Sequence, residues 1–255
     1  MDFTIETYKT LLKHLQLANY EFVKFNEFHL VQDKKAVTLR HDVDLLPKNS
    51  LRFAKIQAEL GIKGTYYFRA VPESWDELVI KEISSLGHEI GYHYENLTVC
   101  NGNIDSAFED FKRNLEALRK LANVTTICMH GSPKSPFDSK DLWKKYNYRD
   151  LGIIAEPYFD VDFNKTFYLT DTGRRWDGYK VSVRDKIPLH QDRWNKEGLT
   201  FHNTQDIINR ANELPNKIMF TFHPQRWHDN VMDWSKEFVL QNTKNAVKYF
   251  LIKSK

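Results

Sequence analysis

The sequence predicts an α/β fold in which parallel strands are joined by helical crossovers. Three observations predict it. Short runs rich in β-branched and aromatic residues alternate with amphipathic helical stretches along the chain, an order that implies a parallel sheet. The 255 residues suit one unit, because α/β barrels reach this size as a single domain, and no Gly/Ser-rich or Pro-rich linker divides residues 1–255. On most of the strands the chemically strongest side chains fall at the C-terminal end, where barrels of parallel strands gather their chemistry.

In chain order, residues 7–17 carry Tyr8, Leu11, Leu12 and Leu15 at helical spacing, and residues 20–31 suggest a short edge element. Residues 36–44 form the first firm strand. Ser50 is placed to cap a helix over residues 51–60, closed by Gly61. A strand over residues 64–70 follows, then a helix over 75–86 capped by Ser74 and closed by Gly87. Residues 88–93 read as a strand, 105–121 as a long helix, 124–130 as a strand and 139–146 as a short helix. Residues 166–171 and 179–183 read as strands flanking a loop, DTGRRWDG. Thr204 is placed to cap a helix through residue 213, residues 217–223 form the last strand, and residues 234–251 a terminal helix with Phe238, Val239, Val247, Phe250 and Leu251 facing the core.

Composition narrows the function classes. Charged residues make up 28% and hydrophobic ones 41%, the profile of a soluble globular chain with a sizeable core. A net charge of +3, without a basic patch interleaved with aromatics, argues against nucleic acid. The first residues show no basic segment leading into an apolar one, and no run of about 18 apolar residues occurs, so the chain reads as cytoplasmic and without a membrane span. Cys100 and Cys128 have no CxxC spacing and suggest no disulfide framework. Aromatics at 14% supply core, or line a sugar-binding cleft.

The run AVTLRHDVDLL ends a buried strand with Asp42 and Asp44. A buried carboxylate is disfavoured unless it is paired, protonated or bound to a metal. One reading makes the two aspartates a helix cap or an ion partner of Arg40. The other makes them a metal ligand and a general base. His93 in GHEIGYHYE is a candidate ligand, with Glu95 behind it as an acceptor for a histidine N–H, as a further ligand, or as a solvated loop residue. His130 in HGSP is a turn residue, a ligand or a substrate contact. His223 in HPQRW ends the last strand and suits a general acid. Asp171, before Arg174, Arg175 and Trp176, either orients a catalytic group or holds a sugar or phosphate. His41, His88, His202 and His228 read as structural or surface residues.

Together RHDVD, GHEIGYH, HGSP and His223-Pro224 resemble the polysaccharide deacetylase family, the NodB-homology or carbohydrate esterase family 4 group, in a divergent branch with an HDVD motif. The resemblance runs from about Ala36 to Trp227. It implies a distorted (β/α) barrel of about seven strands and metal-dependent removal of an N-acetyl group from a sugar. It makes Asp42 the base, Asp44 and His93 metal ligands and His223 the general acid. The usual aspartate pair is adjacent, whereas Val43 separates this one, so the two roles are open to exchange. The family's second metal histidine falls at Leu97, which cannot bind metal, so His130 or Glu95 takes its place.

The expectation is therefore a divalent metal, zinc first, on Asp44, His93 and His130, with Trp176, Trp227, Arg174 and Asp171 around an N-acetylated sugar or polysaccharide precursor. Leu97 motivates an alternative, a barrel that has lost catalysis and only binds carbohydrate. A glycosidase using Asp42 and Asp44 fits poorly, since such pairs face each other across a substrate from different elements.

Overall fold

The computed structural model of the chain describes residues 1–31, 34–131, 135–177 and 187–253, with side chains described to residue 247. Seven strands among these residues form one sheet: β1 (Glu21–Val23), β2 (Ala36–Val43), β3 (Thr65–Phe68), β4 (Glu89–Tyr94), β5 (Ile127–Met129), β6 (Phe167–Thr170) and β7 (Lys217–Phe222). All pairs are parallel, in the order β5-β4-β3-β2-β7-β6, with β1 also on β2. The sheet curls into a distorted (β/α) barrel.

The helices are α1 (Ile5–Leu17), α2 (Phe25–Phe28), α3 (Pro47–Glu59), α4 (Glu77–Ser85), α5 (Asn96–Val99), α6 (Ile104–Arg119), α7 (Pro157–Asp160), α8 (Pro188–Lys196), α9 (Thr204–Asn209) and α10 (Val231–Lys253). The expected strand at 179–183 lies outside the described residues, as do Ser132 and Pro133 of the HGSP motif.

β2 is an inner strand of the sheet, paired on both edges. All of its residues are buried. One edge pairs with β7 from Ala36 to His41. The other is shared, with β1 against Ala36–Thr38 and β3 against Arg40–Val43. Period-two alternation sends its two faces to different work. Outward, His41 is clamped by the Tyr8 hydroxyl at 3.1 Å, Gln57 at 2.9 Å and the Thr65 carbonyl at 3.0 Å. Burial pushes its pKa down to about 3, so it is a neutral core histidine. Inward, Arg40 and Asp42 enter the barrel. Gly91 on β4 is required there, since a Cβ would come within 2.3 Å of the Tyr67 ring.

Three helix caps differ from expectation. α3 begins at Pro47, whose missing N–H costs nothing at a first helical position, and Ser50 is buried inside the helix. Asp76, not Ser74, caps α4. Ser74 instead donates to the Val43 carbonyl and accepts from the Arg69 N–H, bracing the strand ends. Asn203 caps α9, which frees the Thr204 hydroxyl to accept from the Trp176 indole at 2.9 Å. On α10, Phe238, Val239 and Val247 are exposed rather than core; the side chains of Phe250 and Leu251 lie outside the described set.

The free edge of β5 is extended by the segment before α7. Thr126 bridges Ala155, and Glu156 accepts from the Met129 N–H at 3.1 Å and caps α7 through the Tyr158 N–H. Burial outweighs these two bonds and pushes the Glu156 pKa up from 4.5 to about 7. The folded state therefore keeps a proton that the unfolded chain releases. Stability from this group is present below pH 4.5 and falls by about 3 kcal/mol as pH rises through 7. Urea denaturation at pH 5 and 7.5 checks this. Glu156→Gln should flatten the pH dependence over that interval by about 2 kcal/mol, and an unchanged slope would contradict it.

Candidate metal centre

The side chains that matter stand at the C-terminal ends of β2, β4, β5 and β7. Asp44 follows β2, His93 lies on β4, His130 follows β5 and His223 follows β7. Parallel strands in register bring these positions together although they are far apart in sequence.

One Asp44 oxygen, Oδ1, lies 3.6 Å from Nε2 of His93 and 3.6 Å from Nε2 of His130. One donor atom from each of the three residues falls within 4.8 Å of the others. Ligands about 2.0–2.1 Å from a tetrahedral ion stand roughly 3.3–3.5 Å apart, so small closure suffices. Oδ1 is also buried without a hydrogen-bond partner among the described residues. A buried anionic oxygen facing two imidazole nitrogens could hold a divalent cation, and such a donor set suits zinc.

Both histidines are presented in the tautomer a metal needs. His93 Nδ1 lies 2.8 Å from the Cys128 carbonyl. A carbonyl only accepts, so Nδ1 carries the proton and Nε2 is left with its lone pair. His130 Nδ1 donates to Glu95 Oε2 at 2.9 Å, with the same result. Burial opposes the charge on Glu95, but hydrogen bonds and charge from His130 and Arg69 hold its pKa below the usual range. Arg69 donates to Glu95 at 2.8 Å and to the Asp44 carbonyl at 3.1 Å. It thereby locks three strand ends to one another. Leu97, by contrast, is buried in the core on α5.

Asp42 is held differently. Arg40 grips it with Nε to Oδ1 at 2.8 Å and Nη2 to Oδ2 at 2.6 Å. Burial disfavours its charge, but Arg40 outweighs that and lowers the pKa. Oδ2 also lies 3.6 Å from His93 Nε2, so Asp42 looks onto the same space. Asp42, His93 and Cys128 form a second set of donors within 4.8 Å. The Arg40 guanidinium already neutralises that set and repels a second cation.

His223 donates from Nδ1 to Asp171 Oδ1 at 2.6 Å, leaving Nε2 3.9 Å from Asp44 Oδ2. Burial and Arg226 pull its pKa down, yet Asp171 and Asp44 raise it above the usual value. Asp171 is itself fully buried, accepting also from the Trp227 indole at 2.7 Å and from Arg226 at 3.2 Å.

Four expected substrate contacts are thus corrected. Asp171 is 0% exposed and orients His223 instead of meeting a sugar. Trp227 is 0% exposed and Trp176 is 4% exposed, so neither indole has a face free for stacking. Both pack with Phe3 and Phe222 in the core. Arg174 donates to the Trp234 carbonyl at 2.9 Å and lies 4.2 Å from its ring centroid, pinning α10 to the barrel. Sequence reasoning missed Arg69 and Gln225. Arg69 shares the inward face of β3 with Tyr67, and Gln225 stands two residues after His223, which were the available signals.

The chain matches no known family profile and no curated protein. It is similar in structure to family 4 carbohydrate esterases. A wild-type CE4 pseudoenzyme from Bacillus anthracis aligns at 15% identity and a TM-score of 0.43, over 86% of this chain and 63% of that one. A CE4 esterase from Streptococcus mutans aligns at 14% identity and 0.45, over 88% and 85%. A peptidoglycan N-acetylglucosamine deacetylase aligns at 14% identity and 0.45, over 92% of each chain. The chain spans just under two thirds of the length of the pseudoenzyme.

Proposed function

We propose that this chain is a metal-dependent hydrolase that removes an N-acetyl group from a sugar or polysaccharide precursor. The observation that carries the reading is the convergence of Asp44 Oδ1, His93 Nε2 and His130 Nε2, with Oδ1 otherwise unpartnered. In this reading His130, backed by Glu95, serves as the ligand that Leu97 cannot be; a barrel that only binds carbohydrate is the alternative, and it predicts no turnover on any acetylated sugar.

A divalent cation on these three residues supplies Lewis acidity toward the acetyl carbonyl and acidifies water at neutral pH. The protein's own groups do the rest. Asp42 accepts the proton of the attacking water. Arg40 keeps it ionised and fixed, and each carboxylate oxygen retains a second lone pair for that proton. His223, aimed by Asp171 and with its pKa raised by that carboxylate, gives its Nε2 proton to the departing amine as the C–N bond breaks.

The test is acetate release from a panel of N-acetylated sugars after dialysis against a chelator. Turnover should disappear on chelation, return with added zinc, and fall roughly 10²–10⁴-fold in Asp42→Asn while metal stays bound. Turnover indifferent to both chelation and Asp42→Asn would overturn the reading.

A further inference from the structure

The two oxygens of Asp44 face different partners. Oδ1 points at His93 and His130. Oδ2 is covered from the loop after β7, where Gln225 Nε2 donates to it at 3.0 Å and His223 Nε2 lies 3.9 Å away. That loop is well anchored. Pro224 opens a 3₁₀ turn, Arg226 donates to the Asp171 carbonyl at 3.0 Å, and Asn49 reaches the Pro224 carbonyl.

Gln225 is 7% exposed, and its carbonyl Oε1 is buried with no hydrogen-bond partner among the described residues. An unpaired buried acceptor is costly, and an apolar side chain of the same shape would avoid that cost. Among the described residues, the bond to Asp44 is the one side-chain hydrogen bond of Gln225.

We propose that Gln225 is a positioning residue for the metal centre: it occupies Asp44 Oδ2 so that Oδ1 alone is presented to the cation, from the loop that also carries His223. This rests on the reading of Asp44 as a metal ligand. A neutral amide suits the task. It fixes the carboxylate without cancelling its charge, which a lysine or arginine in its place would do.

The experiment measures zinc affinity by competition with a chromophoric chelator, the cobalt absorption spectrum, and the melting temperature of the metal-free protein. Gln225→Met keeps the volume and removes the donor. Its zinc affinity should fall 10- to 100-fold and its cobalt spectrum should change. Its metal-free melting temperature should change little, because the unpaired carbonyl is gone while Asp44 Oδ2 loses its donor. Gln225→Asn, too short to reach Asp44, should lose affinity similarly. In an Asp44→Asn background Gln225→Met should cost nothing further. If Asp44→Asn weakens zinc binding while Gln225→Met leaves it unchanged, the positioning role is overturned and the metal reading survives. A lower melting temperature with unchanged affinity overturns it too, showing a structural role. If the unaltered chain binds no zinc, the metal reading itself fails and this role falls with it.

Discussion

Asp44→Asn is expected to lower zinc affinity by about 100-fold or more, beyond the 10- to 100-fold typical of losing an outer partner, and to reduce acetate release to background. The substitution changes little in shape. It removes the anionic charge and risks placing an N–H₂ where Oδ1 now faces two imidazole lone pairs 3.6 Å away. In the unaltered chain, burial opposes the Asp44 charge, but the neighbouring His93, His130 and His223 outweigh it and hold its pKa well below the usual range. The carboxylate is thus ionised at every working pH and ready for a cation. Equilibrium dialysis with elemental analysis measures the effect. Undiminished zinc in Asp44→Asn would show that the ion is bound elsewhere.

Asp171→Asn is expected to lower kcat roughly 10²–10⁴-fold with zinc content unchanged. Asp171 touches no solvent, so it acts through His223. Two effects combine. The Nδ1–H loses the anion that fixes its tautomer and ring orientation. The pKa of His223, lowered by burial and Arg226 and raised by Asp171 and Asp44, loses one of the two carboxylates that raise it. The sign follows. A lower pKa deprotonates the general acid sooner, so the alkaline limb of the kcat profile should move to lower pH. A merely structural role, through the Asp171 bond to Trp227, would lower the melting temperature and leave the limb in place. His223→Gln should match Asp171→Asn in kcat and abolish that limb.

The strands and the convergence of their C-terminal ends were legible because both follow from periodicity. Two-residue alternation assigns Asp42 and Asp44 to one face of β2, and parallel connections bring His93, His130 and His223 to the same mouth. Helix starts were less legible. Ser50, Ser74 and Thr204 are good caps by type, but Pro47, Asp76 and Asn203 stand where the backbone turns, and local type does not reveal that.

Trp176, Trp227 and Arg174 were misplaced for a related reason. Tryptophan and arginine in a polar loop serve equally as a sugar platform or as an anchor, and only burial separates the two. Here a cluster of rings around Phe3, Phe222 and Trp227 draws the loop into the core. Gln225 carried only the weak signal of standing two residues after His223, since its role depends on a carboxylate 181 residues away in sequence.

The most direct measurement is X-ray diffraction from zinc-soaked crystals, recorded on both sides of the zinc absorption edge. The anomalous map should show one strong peak about 2.0–2.2 Å from Asp44 Oδ1, His93 Nε2 and His130 Nε2. A map with no peak there, or with its zinc only at some other place on the chain, would contradict the metal centre and the hydrolase built on it.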